Sequence, residues 1–200
     1  MLGNDIIDIN ETKRITNWQR RGFLDKIFSP YEKNEILESL NPFHLVWRFW
    51  SMKESAYKVS IQSGHERSFN PSSIHCSIIS SEKGLISIGG LTLTSETKTN
   101  QDYILSVASP TNYPIITTKI LKLHSRNFKA QQEVLYQQIL AYVALELEFA
   151  KDELMIQKTN LNIPYISYKS KKIVSNLSIS HHGKYGVFSL KIKKKKLKNE

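Results

Sequence analysis

The segment that most constrains the fold is residues 50–59, which lie inside a longer stretch with helical apolar spacing. In an α-helix, residues four apart share a face, so Trp50, Glu54 and Lys58 stack above one another. A metal ion on Glu54 and a phosphate on Lys58 would then be neighbours, which suits phosphoryl transfer. The same spacing is also typical of a surface ion pair worth about 0.3–0.5 kcal/mol. The helix alone leaves both interpretations open.

A second constraint lies at the start of the chain, where residues 2–9 have an apolar strand pattern that two acids interrupt. Gly3 allows close approach of a neighbouring backbone, and the β-branched isoleucines favour a sheet interior. We therefore expect Asp5 to be partly buried, and a buried carboxylate needs a cation. The alternative is that residues 3–5 form only a turn and that Asp8 is a solvated or capping acid.

The remaining periodicity predicts a chain with both helices and antiparallel strands. Helices are expected over residues 30–40, with Ser29 as N-cap, and over residues 43–61 and 127–149. Trp50 is expected to belong to the core. Alternating apolar residues and turn signals predict strands over residues 74–79, 85–88, 91–94, 103–108, 115–121, 154–157, 165–168, 176–180 and 186–192. Residues 10–28 have no clear period, and they offer Arg14, Arg20 and Arg21 to a partner.

Composition favours one compact enzyme of one or two small lobes, because 200 residues with 40% apolar content can bury a sizeable core. Cys76 is the single cysteine, which excludes a disulfide framework and a cysteine-based metal site. Residues 1–20 contain no apolar signal core, and no run approaches the roughly 18 apolar residues of a membrane span. We expect a cytoplasmic protein without a membrane partner.

The formal net charge of +10 is concentrated at the end of the chain, where six lysines lie within residues 191–198. A solvated tail is favoured over a nucleic-acid or membrane patch, because no aromatic residues interleave with these lysines. A positive surface would also speed the encounter with phosphorylated ligands and acidic proteins.

Together these segments resemble the signatures of the 4'-phosphopantetheinyl transferase superfamily. The G-x-D strand of that family matches residues 3–5, and its W-x-x-K-E-[SA]-x-x-K helix matches residues 50–58. Residues 28–32 match its F-[ST]-x-x-E segment, and residues 178–181 match its S-[LI]-S-H strand. The resemblance extends over nearly the whole chain and is weakest between residues 60 and 125.

The resemblance implies an α+β fold of two similar lobes, a pseudo-dimer in which each lobe is an antiparallel sheet packed against a long helix. Residues 1–110 would form the first lobe with the metal- and phosphate-binding motifs. Residues 111–192 would form the second lobe with the coenzyme A nucleotide-binding motif, and residues 193–200 a basic tail. A monomeric pseudo-dimer with one site in its cleft is favoured. The alternative is a homotrimer like that of the small acyl-carrier-protein synthases.

The resemblance also assigns roles to individual residues. Asp5 and Glu54 match the metal-binding acids, which implies Mg²⁺, and Lys58 matches the lysine that contacts the coenzyme A phosphates. Glu32 matches an acid near the metal or the attacking hydroxyl, so Glu54, Lys58 and Glu32 are the candidate catalytic residues.

At the other end of the chain, Ser180 and His181 match the pair that contacts the 3'-phosphate end of coenzyme A. A metal site formed by His181 and His182 is not expected, because adjacent strand residues point to opposite faces.

Three departures from the family pattern stand out. Ile7 occupies the position where the pseudo-dimeric members have a second acid, so water or Glu32 would have to complete the Mg²⁺ coordination. The glycine-rich loop after the helix lysine is reduced to Gly64. The usual G-K-P reads Asn162-Ile163-Pro164, which removes a lysine contact with the coenzyme.

The implied reaction is Mg²⁺-dependent transfer of the 4'-phosphopantetheine group of coenzyme A to a serine of an apo carrier protein, with release of adenosine 3',5'-bisphosphate. The enzyme would be a 4'-phosphopantetheinyl transferase of the holo-acyl-carrier-protein synthase type. Carrier proteins of fatty-acid, polyketide and peptide synthesis all fit this description. One alternative is a catalytically inactive relative that binds coenzyme A or a carrier protein, and a further one is a basic nucleic-acid-binding protein.

Overall fold

The computed structural model of the protein describes residues 1–111 and 116–192. The basic tail predicted for residues 193–200 and the first residue of the strand predicted over residues 115–121 lie outside the described residues. The described chain is α+β, as predicted, with antiparallel strand pairing throughout. None of its described helices is long and apolar enough to cross a membrane.

The first half of the chain forms a five-stranded sheet against one long helix. Its sheet order is β1-β5-β4-β3-β2, and the helix α4 packs on β1 and β5. Its elements are β1 (Gly3–Asp8), α1 (Ile9–Ile15), α2 (Phe23–Ile27), α3 (Pro30–Glu38), α4 (Pro42–Gln62), β2 (His75–Ile78), β3 (Lys83–Ile88), β4 (Leu91–Thr99) and β5 (Tyr103–Pro110).

The second half places another long helix against two small sheets. The sheet orders are β10-β11-β6 and β7-β8-β9. Its elements are β6 (Thr117–Lys122), α5 (Phe128–Leu147), β7 (Leu154–Lys158), β8 (Pro164–Tyr168), β9 (Lys171–Val174), β10 (Leu177–His182) and β11 (Tyr185–Leu190).

The two halves share a connectivity. In each, the first strand pairs with the last one, β1 with β5 and β6 with β11, and the preceding strand borders the last strand on its other side. Each half also has its long helix between the first strand and the later ones. This shared order supports two similar lobes, while the pseudo-dimer itself stays a prediction.

Three apolar clusters hold these layers together. The largest lies between α4 and the first sheet and includes Phe49, Met52 and Val59, which are fully buried. A second surrounds Ile139 and Val143 of α5. A third joins the two lobes, and its buried members are Ile6, Leu105, Tyr185 and Val187. The lobes therefore meet across β1, β5 and β11.

Most predicted elements are confirmed, with ends shifted by a few residues. Ser29 caps α3 through a capping box with Glu32. The helices α1 and α2 were not predicted, and Asp8 caps α1 by accepting hydrogen bonds from the amides of Asn10 and Glu11. Trp50, predicted to be core, is only partly buried, and its ring stands edge-on against Phe69.

Candidate functional site

The site begins where β1 lies directly on α4. A Cβ built on Gly3 would lie 2.0 Å from the carbonyl oxygen of Ser55, so only glycine permits this approach. On either side of Gly3, side chains of α4 bind the backbone of β1. Gln62 bonds both the amide and the carbonyl of Leu2, and Ser51 Oγ donates to the carbonyl of Asp5 at 3.1 Å. The strand is thereby held in one register on the helix.

This register brings Asp5, Glu54 and Lys58 together. Lys58 Nζ donates to the carbonyl of Asn4 at 2.6 Å and lies 3.9 Å from Asp5 Oδ1. Burial raises the pKa of Asp5 to about 7, and the nearby charge of Glu54 contributes, although the charge of Lys58 opposes both. Burial also raises the pKa of Glu54 and lowers the pKa of Lys58. The three charged groups thus lie within electrostatic reach of one another.

Two features of this cluster fit a hard divalent cation. Asp5 Oδ2 is buried and has no hydrogen-bond partner within the described part of the chain. Asp5 and Glu54 are close enough for their charges to interact, which costs free energy unless a cation lies between them. Mg²⁺ is commonly bound by one or two carboxylates, with water and substrate phosphate completing its octahedron.

Further protein ligands are not evident. Ile7, at the position of the second acid, is buried in the core of the first lobe. Among residues 1–111 and 116–192, no group of three or more histidine, cysteine, aspartate or glutamate side chains could hold a metal. A cation at Asp5 and Glu54 would therefore take its remaining ligands from water and substrate.

Glu32 is engaged elsewhere. Its carboxylate is fully buried and forms a salt bridge of 2.8 Å with Lys53 Nζ. The same carboxylate accepts hydrogen bonds from the amides of Ser29 and Cys76 at 2.8 and 2.7 Å. Lys53 Nζ also donates to the carbonyls of Pro71 and Ile74. The structure therefore does not bring Glu32 to Asp5, Glu54 and Lys58, and these contacts tie α3 and α4 to β2.

The second lobe reaches this region through Asn4, whose importance the sequence did not reveal. Asn4 is fully buried, and its Nδ2 donates to Ser178 O and to Ser189 Oγ, at 3.0 and 2.9 Å. Its Oδ1 accepts from the hydroxyls of Ser178 and Ser180, at 3.2 and 3.1 Å. The middle residue of the G-x-D segment thus bonds the first lobe to β10 and β11. Ser180, predicted to contact coenzyme, uses its hydroxyl in this link.

The two histidines point to opposite sides of β10, as predicted. His182 Nδ1 accepts a hydrogen bond of 2.9 Å from the amide of Asp8, towards the first lobe. His181 Nδ1 contacts Gln131 Oε1 of α5 at 2.7 Å. Burial lowers the pKa of His181, and the charges of Lys58 and His182 lower it further. The positive charge of Lys58 therefore reaches the His181 ring across the two lobes.

A cleft of about 160 Å³ opens between the lobes beside Lys58. Its first-lobe wall includes Tyr57, Lys58 and Arg67, and its second-lobe wall includes Ser178 and residues 162–164. Ile163 stands at the position of the lysine in the family's G-K-P segment, but Arg67 adds an exposed guanidinium to the same cleft. Lys58 and Arg67 make the cleft suitable for an anion.

Residues 1–115 match the family model of the 4'-phosphopantetheinyl transferase superfamily. The chain belongs to this superfamily. The match covers more than half of the sequence and includes β1 and α4, which carry Asp5, Glu54 and Lys58. Phosphopantetheinyl transfer is the chemistry that membership of this superfamily indicates. A search of curated proteins found no match to the chain.

The residues of the two family motifs in β1 and α4 have distinct structural roles. The G-x-D glycine allows the strand to touch the helix, its middle residue holds the second lobe, and its aspartate joins Glu54. The W-x-x-K-E lysine, Lys53, faces inward to Glu32, and the following glutamate, Glu54, lies within reach of the charge of Lys58. One motif thus supplies both the support and the charged groups.

Proposed function

We propose that this protein transfers the 4'-phosphopantetheine group of coenzyme A to a serine hydroxyl of an apo carrier protein, with Mg²⁺ bound by Asp5 and Glu54. The observation that carries the proposal is the buried, unpartnered Oδ2 of Asp5 next to Glu54 and Lys58 in a member of this superfamily. A carboxylate oxygen buried in this way is costly unless a cation binds it.

The coenzyme would lie in the cleft between the lobes. Lys58 and Arg67 are the cations available to its pyrophosphate. His181 lies on β10 two residues beyond Ile179, which lines the cleft, and would contact the 3'-phosphate. Ser180 was also predicted to bind the coenzyme. Because its hydroxyl bonds Asn4, we propose that Ser180 contributes by holding β10 in place.

In the proposed reaction, the carrier serine oxygen forms a bond to the β-phosphorus of the coenzyme, which carries the pantetheine arm, and the bond from this phosphorus to the bridging pyrophosphate oxygen breaks. Bound Mg²⁺ would supply charge stabilisation at the pyrophosphate. Lys58 neutralises negative charge on the departing adenosine 3',5'-bisphosphate. Glu54 would accept the serine proton through a water molecule.

Glu32 has no direct part in this scheme. Its carboxylate already binds Lys53 and two backbone amides inside the core. We propose that Glu32 supports catalysis by fixing α4, on which both Glu54 and Lys58 lie.

The carrier protein would approach beside the first lobe. An apolar cavity of about 500 Å³ there includes Phe23, Trp47 and Trp50 and is flanked by Arg20 and Lys26. Apolar walls with basic groups suit an acidic protein that presents an amphipathic helix.

Both lobes of one chain contribute to the coenzyme cleft, which supports a monomer over a homotrimer. Cys76 is buried and unpaired, which suits the reducing cytoplasm.

An inactive relative that binds coenzyme A or a carrier protein is the second candidate, and Ile7 and Ile163 favour it because each removes a polar group from the family pattern. Transfer and binding are separable by experiment. The protein is incubated with coenzyme A and apo carrier proteins, with Mg²⁺ or with a chelator, and the carrier mass is measured. Coenzyme A binding is followed by calorimetry. An increase in carrier mass that occurs with Mg²⁺ and not with the chelator supports the transferase. Coenzyme A binding with no increase in mass in all of the carrier classes tested supports the inactive relative.

A further inference from the structure

Gln131 is an unusual residue for the exposed start of a helix, because it is 6% exposed and fully hydrogen bonded. Its Nε2 donates to the carbonyls of Ser125 and Gly183, at 2.8 Å each. Its Oε1 lies 2.7 Å from His181 Nδ1. One side chain of α5 thus joins the loop before the helix, the β10–β11 turn and His181.

These contacts determine where His181 carries its proton. Carbonyl oxygens can only accept hydrogen bonds, so the single side-chain atom that faces both Ser125 O and Gly183 O must be the amide nitrogen of Gln131. The remaining atom, Oε1, can only accept. His181 Nδ1 must therefore donate to it, which leaves Nε2 as the nitrogen without a proton in the neutral ring.

The other groups around His181 leave Nε2 for a ligand. The Phe128 ring lies 4.6 Å from the imidazole centroid and restricts the ring plane. Within the described residues Nε2 has no hydrogen-bond partner. The charged or titratable groups that act on the ring are Lys58 of α4 and His182 of β10, and both disfavour the protonated form. An anion arriving at Nε2 would reverse this preference.

We propose that Gln131 is a positioning residue that holds His181 with its proton on Nδ1 and Nε2 free. Nε2 then takes up a proton from solvent when the coenzyme's 3'-phosphate arrives and donates a hydrogen bond to that phosphate. This inference rests on the proposed function, because it assigns the coenzyme's 3'-phosphate to His181. Gln131 Oε1 stabilises the doubly protonated ring by accepting from its opposite nitrogen, which makes the contact with phosphate charge-assisted.

Two substitutions separate the parts of this role. Gln131→Glu keeps an acceptor for His181 Nδ1 and loses the two donors to carbonyls. Gln131→Met has a similar length and loses all three hydrogen bonds. The matched control is Gln138→Met, because Gln138 is exposed on the same helix. Circular dichroism and urea unfolding select the folded variants. Gln131→Glu provides the test if Gln131→Met does not fold.

The first measurement is independent of coenzyme binding. Nitrogen chemical shifts of the His181 ring in the ligand-free protein report which nitrogen carries the proton. We expect the Nδ1–H form in the wild type, in Gln131→Glu and in Gln138→Met, with a higher His181 pKa in Gln131→Glu. Gln131→Met should lose the preference for Nδ1–H. A wild-type ring protonated on Nε2, or an unchanged ring in Gln131→Met, would overturn the inference.

The second measurement is the ratio of the dissociation constants of dephospho-coenzyme A and coenzyme A. We expect Gln131→Met to lower this ratio about tenfold. Adding Gln131→Met to the His181→Ala variant should lower the ratio no further. Gln131→Glu should lower it less than Gln131→Met does. A ratio unchanged in His181→Ala would contradict the placing of the 3'-phosphate in the proposed function. A ratio lowered by His181→Ala but not by Gln131→Met would contradict the positioning role of Gln131 alone.

Discussion

Gly3 and Ser55 are in backbone contact, so tight that a Cβ on Gly3 would lie 2.0 Å from the carbonyl oxygen of Ser55. This contact fixes how closely β1 packs on α4. Asp5 lies two residues along the strand and Lys58 three residues along the helix, and their charged atoms come within 3.9 Å. The geometry of the charged cluster therefore depends on a residue that carries no side chain.

Gly3→Ala should push β1 away from α4. Overpacking of this kind costs about 1–3 kcal/mol of folding free energy, and the variant should also lose Mg²⁺-dependent coenzyme binding. Gly90→Ala is the control for destabilisation alone, because the positive φ of 78° strains an alanine there while no atom lies within 4 Å of the added Cβ. Urea unfolding and calorimetry measure both effects. Normal coenzyme binding by a folded Gly3→Ala protein would show that the contact does not position the site.

Asp5→Asn should stabilise the metal-free protein at alkaline pH. The pKa of Asp5 is raised to about 7, above the value near 3.8 of an unperturbed aspartate, so folding favours the protonated form. The contribution of the Asp5 carboxyl to the unfolding free energy of the wild type is fully present below pH 4. This contribution is lost as the pH rises through about 7, and the loss amounts to up to a few kcal/mol. Unfolding free energies of both proteins at pH 5.5 and pH 8.5 test this.

The difference between the two proteins should grow with pH, and Mg²⁺ at pH 8.5 should stabilise only the wild type. Mg²⁺ binding requires an ionised Asp5, so the metal affinity of the wild type should also rise through pH 7. A difference that is the same at both pH values would mean that Asp5 is not buried as described.

Asn4→Ala should weaken the contact between the lobes. The substitution removes the side-chain partner that Ser178, Ser180 and Ser189 share. Ser178 Oγ still accepts from the amide of residue 4 and Ser189 Oγ still bonds Thr118, whereas the Ser180 hydroxyl loses its bond to Asn4, and a buried polar group left unsatisfied costs about 1–3 kcal/mol. Asn34→Ala, at an exposed position of α3, is the control. Hydrogen exchange should show faster exchange in β1 and β10 of the Asn4 variant. Unchanged exchange in both strands would contradict the role of Asn4 in joining the lobes.

Glu32→Gln should reduce stability more than catalysis. Removing one member of a buried ion pair leaves Lys53 uncompensated and typically costs about 3–5 kcal/mol. The double substitution Glu32→Gln with Lys53→Met should recover part of this loss. Turnover per folded molecule, measured at low temperature, should stay within a few fold of the wild type for Glu32→Gln. A fall as large as that caused by Glu54→Gln would restore Glu32 as a catalytic residue.

The parts of the fold that the sequence predicted are those with long, regular patterns. The helix α4 and the strand β1 were predicted within one or two residues, because the apolar periods and the caps agree. The helices α1 and α2 are 7 and 5 residues long, which is fewer than two full turns, so they are too short to show a repeating apolar pattern. The short strand β9 was missed for the same reason.

The sequence motifs indicated the candidate site residues that carry charge. They missed the residues that act through hydrogen bonds to distant parts of the chain. Asp5, Glu54 and Lys58 come together as the motifs suggested. The role of Asn4 depends on serines 174 to 185 residues away, which no local pattern reveals. Gln131 is likewise defined by His181, 50 residues away. Glu32 matched a motif, but its partner Lys53 could not be inferred from spacing.

The most direct test of the account is the mass of an apo carrier protein after incubation with coenzyme A, Mg²⁺ and either the wild type, Asp5→Asn, Glu54→Gln or Asp152→Asn. Asp152 is an exposed acid of the second lobe and serves as the control. We expect transfer by the wild type and by Asp152→Asn, and a loss of about a hundredfold or more for Asp5→Asn and Glu54→Gln. Near-normal transfer by folded Asp5→Asn or Glu54→Gln would contradict the assignment of these acids to the reaction.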